Sequence, residues 1–199
     1  MADTIDKILL NLTKMLTERK VLDYKNVDKN YENLLKQKNE ERIFSIKSDM
    51  NNDTYNIFII YGKITTVKKI QGLDAFLSAS KGQNRIFIGD NISLKAFKQF
   101  LAYKKSEVFF DYELLMNIVE HELQPKFELL TEDEKEIKFK EYNIDKKNMS
   151  KIFSTDPIAR YYAAKAGDVF RIIRPSPFTG MGFHYRIVIE TPVSQIFSC

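Results

Sequence analysis

Between residues 42 and 119 the hydrophobic period keeps switching between two and three-to-four, and this restricts the fold more than any other feature of the chain. Arg42 to Lys47 alternates around Ile43, Phe44 and Ile46, as a strand does. Thr54 to Ile64 (TYNIFIIYGKI) is rich in β-branched and aromatic residues and reads as a buried strand, entered through a turn at Asn51, Asn52 and Asp53. From Thr65 to Ala79 the apolar positions Val67, Ile70, Leu73, Phe76 and Leu77 follow helical spacing, with Gly72 weakening the helix. Arg85 to Ile88 reads as a short strand. Ser93 is a helix cap before Leu94, Phe97, Phe100 and Leu101. Glu107 to Phe110 and Leu114 to Val119 read as strands. Strands alternating with helices predict an α/β domain with a covered sheet.

Ahead of this block, Ile5, Ile8, Leu9, Leu12, Met15 and Leu16 mark an amphipathic helix over residues 3 to 19, capped by Asp3 or Thr4. Tyr31, Leu34 and Leu35 indicate a second, shorter helix. The N-terminus lacks a secretory pattern, and no apolar run nears the ~18 residues of a membrane span. The expectation is an intracellular protein away from membranes. One Cys, Cys199, and two separated histidines, His121 and His184, argue against a disulfide, a zinc site or a His/Cys nucleophile. The glycines carry no phosphate-binding loop, so no cofactor is expected.

The character changes near residue 120. The formal net charge of +4 divides into +4 over residues 1–118, −5 over 119–145 and +5 over 146–199. Thr131 caps a helix whose first turn holds Glu132, Asp133 and Glu134, which favours it electrostatically. Residues 144–153 read as a turn and a short helix. Asp156-Pro157 is a helix start, with Asp as cap and Pro where its missing N–H costs nothing. This local reason outweighs a carboxylate-site reading of Asp156. The helix is expected to run to Ala166 and close at Gly167. Val169 to Arg174 and His184 to Ile189 read as strands of a hairpin joined by the loop PSPFTGMG. Tyr161 and Tyr162, being adjacent, are expected on different faces, one in the core and one at an interface. Arg171 and Arg174 are expected on opposite sides of their strand.

His121-Glu122-Leu123-Gln124-Pro125-Lys126, Asp156-Pro157-Ile158-Ala159-Arg160-Tyr161, Gly167 to Ser176 and Tyr185-Arg186 stand in an order and spacing that resemble one family over about seventy residues. It is the small RNA polymerase subunit shared by the three eukaryotic nuclear polymerases, the fifth in the usual naming. The shorter archaeal counterpart resembles the C-terminal part alone. The first 118 residues match more weakly, through the order of elements. The chain departs at Phe127, where the family has a second His, at Glu120, where a His often stands, and in the extension beyond Ile189.

The resemblance implies a nuclease-like α/β jaw over residues 1–119, without an active site, and a small α+β assembly domain over 120–199. It implies a non-catalytic polymerase subunit, free of cofactors and small-molecule substrates. The assembly domain would dock on the largest subunit, with other subunits nearby, through candidates His121, Pro125, Lys126, Asp156, Pro157, Arg160, Tyr161, Tyr162, Arg174, Pro175, Tyr185 and Arg186. The jaw would lie near downstream duplex DNA, with Lys63, Lys68, Lys69, Lys95, Lys98, Lys104 and Lys105 as weak, non-specific phosphate contacts; Lys81 and Arg85 belong to the same basic set. The location would be the nucleus in a cell, or virion and host cytoplasm for a large DNA virus, either of which fits the bias of 24 Lys to 7 Arg. Two alternatives stand beside it. One is a metal-dependent nuclease, whose Asp/Glu-x-Lys pattern is matched only by Asp133-Glu134-Lys135 and Glu136-Ile137-Lys138 in a charged helix. The other is a free-standing transcription factor with a borrowed assembly domain.

Overall fold

The computed structural model describes residues 2–38, 42–141, 148–176 and 180–197. The chain divides into two compact units, residues 1–117 and 118–199, each with one four-stranded sheet in a mixed α/β architecture.

In the first unit, β1 (Ile43–Lys47), β2 (Thr54–Ile64), β3 (Asn84–Ile92) and β4 (Ser106–Phe110) lie side by side in that order. β1 is antiparallel to β2, and the other pairs are parallel. Parallel neighbours need crossovers, supplied by α3 (Leu73–Ala79) and α4 (Leu94–Leu101). Phe58 and Phe87 sit opposite each other on β2 and β3. Phe76 of α3 lies 5.2 and 5.6 Å from those rings, and Phe100 of α4 stacks on Phe87 at 4.5 Å. Ile57, Ile59, Ile86 and Ile88, at the alternate positions, are also buried.

Helix α1 (Ala2–Glu18) buries Ile8, Leu9, Leu12, Met15 and Leu16 completely. At about 1.5–3 kcal/mol per side chain, this packing outweighs a cap worth ~1 kcal/mol. The helix indeed begins at Ala2, so Asp3 and Thr4 lie inside its first turn and are not its caps. Beyond its end, Arg19 holds Glu107 of β4 through both carboxylate oxygens at 2.9 and 2.7 Å and lies over the Phe109 ring. α2 (Val27–Lys36) follows and buries Leu34.

Two further expectations fail in this unit. The helix over 65–79 is broken: Val67–Lys69 form a 3-10 turn, and α3 starts only after Gly72 at φ +77°. Val67, Leu73 and Phe76 are buried regardless, so the period reported burial rather than conformation. Leu114–Val119 is not a strand. Residues Asp111–Leu115 form α5, and Ile118–Glu120 a 3-10 turn. The Glu113 carboxylate accepts the Phe110 N–H at 2.7 Å, and the Leu114 carbonyl accepts from Asn11 of α1 at 2.8 Å, so helical geometry satisfies this backbone. The strand expected at Arg85 to Ile88 extends to Ile92.

In the second unit, β5 (Lys126–Leu129), β7 (Val169–Ser176), β8 (Gly180–Ile189) and β6 (Ser150–Phe153) are adjacent in that order. β7 and β8 form the antiparallel hairpin, β5 is antiparallel to β7, and β6 is parallel to β8. α6 (Glu132–Glu141) opens on a reciprocal cap: the Thr131 N–H donates to the Glu134 carboxylate at 2.8 Å, and the Glu134 N–H to the Thr131 hydroxyl. α7 (Pro157–Tyr161) opens on Asp156, whose Oδ1 accepts the Ile158 N–H at 2.9 Å. Asp156→Ala is expected to cost about 1 kcal/mol. It should lower the unfolding midpoint of this small unit by about 4–8 °C in a thermal scan.

Here the corrections come from non-local pairing. Residues 142–147 and 177–179 lie outside the described residues, as do 198–199 with Cys199. Within residues 144–153, the part described includes a strand, β6, rather than a helix; Ile152 is buried between exposed Lys151 and Phe153. α7 stops at Tyr161 instead of Ala166. Ala163 takes φ +50°, and Gly167, at φ +94°, turns the chain into β7. The hairpin is longer than expected: Pro175, Ser176 and Gly180–Gly182 are paired in strands. β5 has no counterpart in the sequence reading.

Candidate partner-binding surface

The motif residues of the second unit separate into a buried scaffold and an exposed end. The scaffold is aromatic. Phe170 is fully buried, with Phe127 and Tyr162 each 5.7 Å away edge to face. Tyr162 donates its hydroxyl to the Phe127 carbonyl at 3.2 Å, tying the end of α7 to β5. Tyr161 and Tyr162 are 4% and 9% exposed, so neither ring is offered at the surface. Tyr162 is the residue that ends the helix, and helical spacing does not govern where its ring points. Phe127, where the family pattern has His, is therefore a core residue. Tyr185 packs against the cluster of Leu130, Met149 and Val169.

Charges pin this scaffold. Lys135 of α6 is 5% exposed and donates to Glu132 at 2.7 Å and Asp168 at 3.0 Å. Burial alone would lower its pKa, but the bonds to Glu132 and Asp168 outweigh it and the net direction is up. On the sheet, Glu128 of β5 meets Lys126 at 2.8 Å and Arg171 of β7, which sits opposite it in the ladder. The Lys126 bond, with Arg171 assisting and burial opposing, holds the Glu128 carboxyl below its ordinary value of 4.5. A carboxyl whose pKa falls on folding stabilises the fold above its unfolded value and ceases to as pH falls through the folded one. Below about pH 4.5 the wild type should therefore lose stability that Glu128→Gln lacks throughout, and denaturant midpoints of the two should converge on acidification.

The exposed end is built by register. Lys126 lies opposite Ile173, next to Arg174, while Arg174 and Pro175 face Gly182 and Met181 across the hairpin. His121, Lys126, Arg174 and Pro175 are exposed and Pro125 is half-buried. The His121 Nδ1 accepts the Leu123 N–H at 3.2 Å, a turn-forming role. Met181 and Phe183, absent from the sequence reading, are 55% and 54% exposed beside this end. The glycines around Met181 disguised them as loop, although M-x-F-x-Y alternation was legible from Met181 to Tyr185. Pro157 is exposed on α7, and Asp156, Arg160 and Arg186 are half-buried.

In the first unit, Lys63, Lys68 and Lys95 lie toward the C-terminal ends of the parallel strands, where the 3-10 turn also places Lys69 in the chain. Lys104 and Lys105 precede β4 at the opposite end, and Lys98 stands midway along α4. Arg85 does not belong with these lysines. It is buried, and its guanidinium donates to the Ser80 hydroxyl at 2.8 Å and to the carbonyls of Leu77 and Lys104. Among the described residues, no three His, Cys, Asp or Glu side chains gather where they could hold a metal ion. The Asp/Glu-x-Lys triplets lie on α6, with Lys135 already engaged.

Residues 116–188 match the family model described as RNA polymerase Rpb5, C-terminal domain. The chain is 33% identical over 193 residues to DNA-directed RNA polymerase subunit 5 of Acanthamoeba polyphaga mimivirus, covering 94% of this chain and 93% of that protein. It is 34% identical over 131 residues to subunit rpabc1 of DNA-directed RNA polymerases I, II and III of Dictyostelium discoideum, covering 63% and 66%. Over 75 residues it is 41% identical to subunit Rpo5 of Methanocaldococcus jannaschii, covering 38% of this chain and 96% of that one.

Proposed function

The chain belongs to the Rpb5 family of small RNA polymerase subunits, and from that premise we propose how its two units serve a polymerase. The role is assembly rather than catalysis. The second unit docks on the largest polymerase subunit, and the first is a jaw lying near downstream DNA. The observation that carries the docking reading is the exposed end of the second sheet. Lys126 and Pro175, drawn from two separate family motifs, share a face there with exposed Met181 and Phe183, while Arg174, next to Ile173, stands at the same end on the opposite face. Exposed aromatic and methionine side chains are the composition of an interface. The archaeal relative, matched over 96% of its length, supports the second unit as a self-standing module. His121, Pro125, Asp156, Pro157, Arg160 and Arg186 flank or position this surface. Tyr161, Tyr162 and Tyr185 support it from within.

For the jaw, aromatic packing on one side of the sheet and buried isoleucines at the alternate positions support a sheet covered on both faces. The split of the lysines favours one end as the DNA-facing one. Lys63, Lys68, Lys69 and Lys95 group at the strands' C-terminal ends, apart from Lys104 and Lys105. Such contacts are non-specific and salt-sensitive. The relatives' names span a virus and cellular polymerases, so the protein works in the nucleus of a cell or in virion and host cytoplasm.

The docking surface is tested by Arg174→Glu with Phe183→Ser, both exposed and neither part of the Glu128 ion pairs. Incorporation of the tagged variant into polymerase should fall roughly tenfold or more, with the unfolding midpoint little changed. Unchanged incorporation removes this end from the interface.

A further inference from the structure

Four connections meet at the end of the first sheet where β2, β3 and β4 begin: residues 19–26, 47–54, 80–85 and 102–107, each described throughout. Lys38 and Arg42, which flank residues 39–41, stand away from this end, beside Asp6 of α1 and Ile59 of β2. Hydrogen bonds fasten the connections to one another. Arg19 grips Glu107, and the Val21 carbonyl accepts the Ser48 hydroxyl at 2.7 Å and the Asp49 N–H at 3.1 Å. The Asp49 carboxylate accepts the Asp23 N–H at 3.0 Å and the side-chain amides of Asn26 and Asn30. Buried Arg85 clasps the other two. Its guanidinium reaches Ser80 and Leu77 at the end of α3 and the Lys104 carbonyl before β4, while its N–H donates to the Lys105 carbonyl at 2.8 Å.

This frame presents Tyr24 and Met50, 64% and 63% exposed, and the exposed lysines Lys20, Lys104 and Lys105. Its four connections hold eight Lys and Arg against four Asp and Glu. Lys20 and Lys105 take φ +58° and +56°. Lys20 is the left-handed residue that closes α1: its N–H bonds back to the Thr17 carbonyl and the Val21 N–H to that of Leu16. Glycine ordinarily fills such a position, because it meets no Cβ penalty there. Two lysines are thus kept at one end of the sheet in a conformation that glycine adopts more cheaply, and their side chains are what glycine lacks. Tyr and Met are enriched in protein interfaces, lysines call for carboxylates, and a frame already rigid spares the cost of ordering on binding. Duplex phosphates would meet the lysines but leave Tyr24 and Met50 without apolar partners.

We propose that this end of the first unit binds an acid-bearing segment of another protein subunit of the same polymerase. Tyr24 and Met50 lie against its apolar side chains, and Lys20, Lys104 and Lys105 meet its carboxylates. This rests on the family role above and names a second partner-binding place, at the opposite end of the sheet from the lysines proposed to face DNA.

The test uses the full chain assembled in its polymerase, with Tyr24→benzoylphenylalanine as a photoreactive probe, and identifies what the probe captures. The result expected is a segment of another subunit that carries Asp or Glu beside apolar residues. Made as a peptide of about 15 residues, that segment should bind the full chain, and Lys104→Glu with Lys105→Glu should weaken it roughly tenfold or more. Lys105→Gly should also weaken binding while the unfolding midpoint holds or rises, because the left-handed strain is relieved. A lysine kept for the fold alone would lose midpoint and leave binding unchanged. If the double reversal fails to fold, Lys105→Gly decides. Capture of DNA alone, of a segment without acids, or of nothing overturns the proposal, and so does peptide binding that survives charge reversal. A chain that enters polymerase yet captures nothing loses this surface but keeps the family role. A chain absent from polymerase loses both.

Discussion

Phe170→Ala is expected to remove a large share of the second unit's stability and to lower its entry into polymerase. Phe170 is fully buried where β5, β7 and the end of α7 meet, with Phe127 and Tyr162 both against its ring. Removing a buried Phe side chain costs about 3–5 kcal/mol, transfer and cavity together. A unit of about 80 residues has a total stability of roughly 4–12 kcal/mol at ~0.05–0.15 per residue. The loss is therefore a large share of what holds the sheet, and the Tyr162–Phe127 hydrogen bond is expected to go with it. Phe170→Leu keeps most of the volume and should retain the fold at a lower midpoint. Urea unfolding followed by circular dichroism measures both. A midpoint for Phe170→Ala within about 1 kcal/mol of wild type contradicts the placement of this core.

The second large effect is an asymmetry at Lys135. Asp168→Ala leaves a buried ammonium with only the exposed Glu132 as carboxylate partner, and also removes the acceptor of the Lys165 N–H at 2.7 Å. Breaking a fully buried pair from one side costs about 3–5 kcal/mol; with Glu132 remaining, about 2–3 is expected here. Lys135→Met removes the buried charge itself and replaces it with an apolar chain of similar reach. It is expected to cost less than about 1 kcal/mol, because desolvation of the ion is relieved as the pair is lost. The double variant should be more stable than Asp168→Ala alone, the sign that identifies an uncompensated lysine. Equal losses for the two single variants would mean that Lys135 is held by packing of its stem.

These two sites show where the sequence was legible and where it was not. Thr131 with Glu134, Ser93 before α4 and Asp156-Pro157 act within a few residues, and each folds as its local chemistry dictates. Helix α1 was readable because its whole buried face lies within one segment. The failures are those in which the deciding partner is distant. Ser150–Phe153 becomes a strand because β8, more than thirty residues later, supplies its ladder. Asp111–Leu115 becomes a helix with its carbonyl anchored on Asn11, about a hundred residues earlier. Glycine misled in both directions: Gly72 lies just before α3 instead of within a longer helix, while Gly180 and Gly182 lie within a strand. For the candidate surface, the motifs supplied Lys126, Arg174 and Pro175, but only the antiparallel register brings them to one end of the sheet. That register also adds Met181 and Phe183, while Tyr161 and Tyr162 pack into the core from the end of α7.

As a member of its family, this chain is a structural part of a multisubunit polymerase. The most direct test of that role is the copy number of the tagged chain in polymerase purified from its native source through the largest subunit. One copy per largest subunit is expected, retained through a salt wash that strips weakly held charged contacts. A largest subunit recovered in active polymerase without this chain would contradict it.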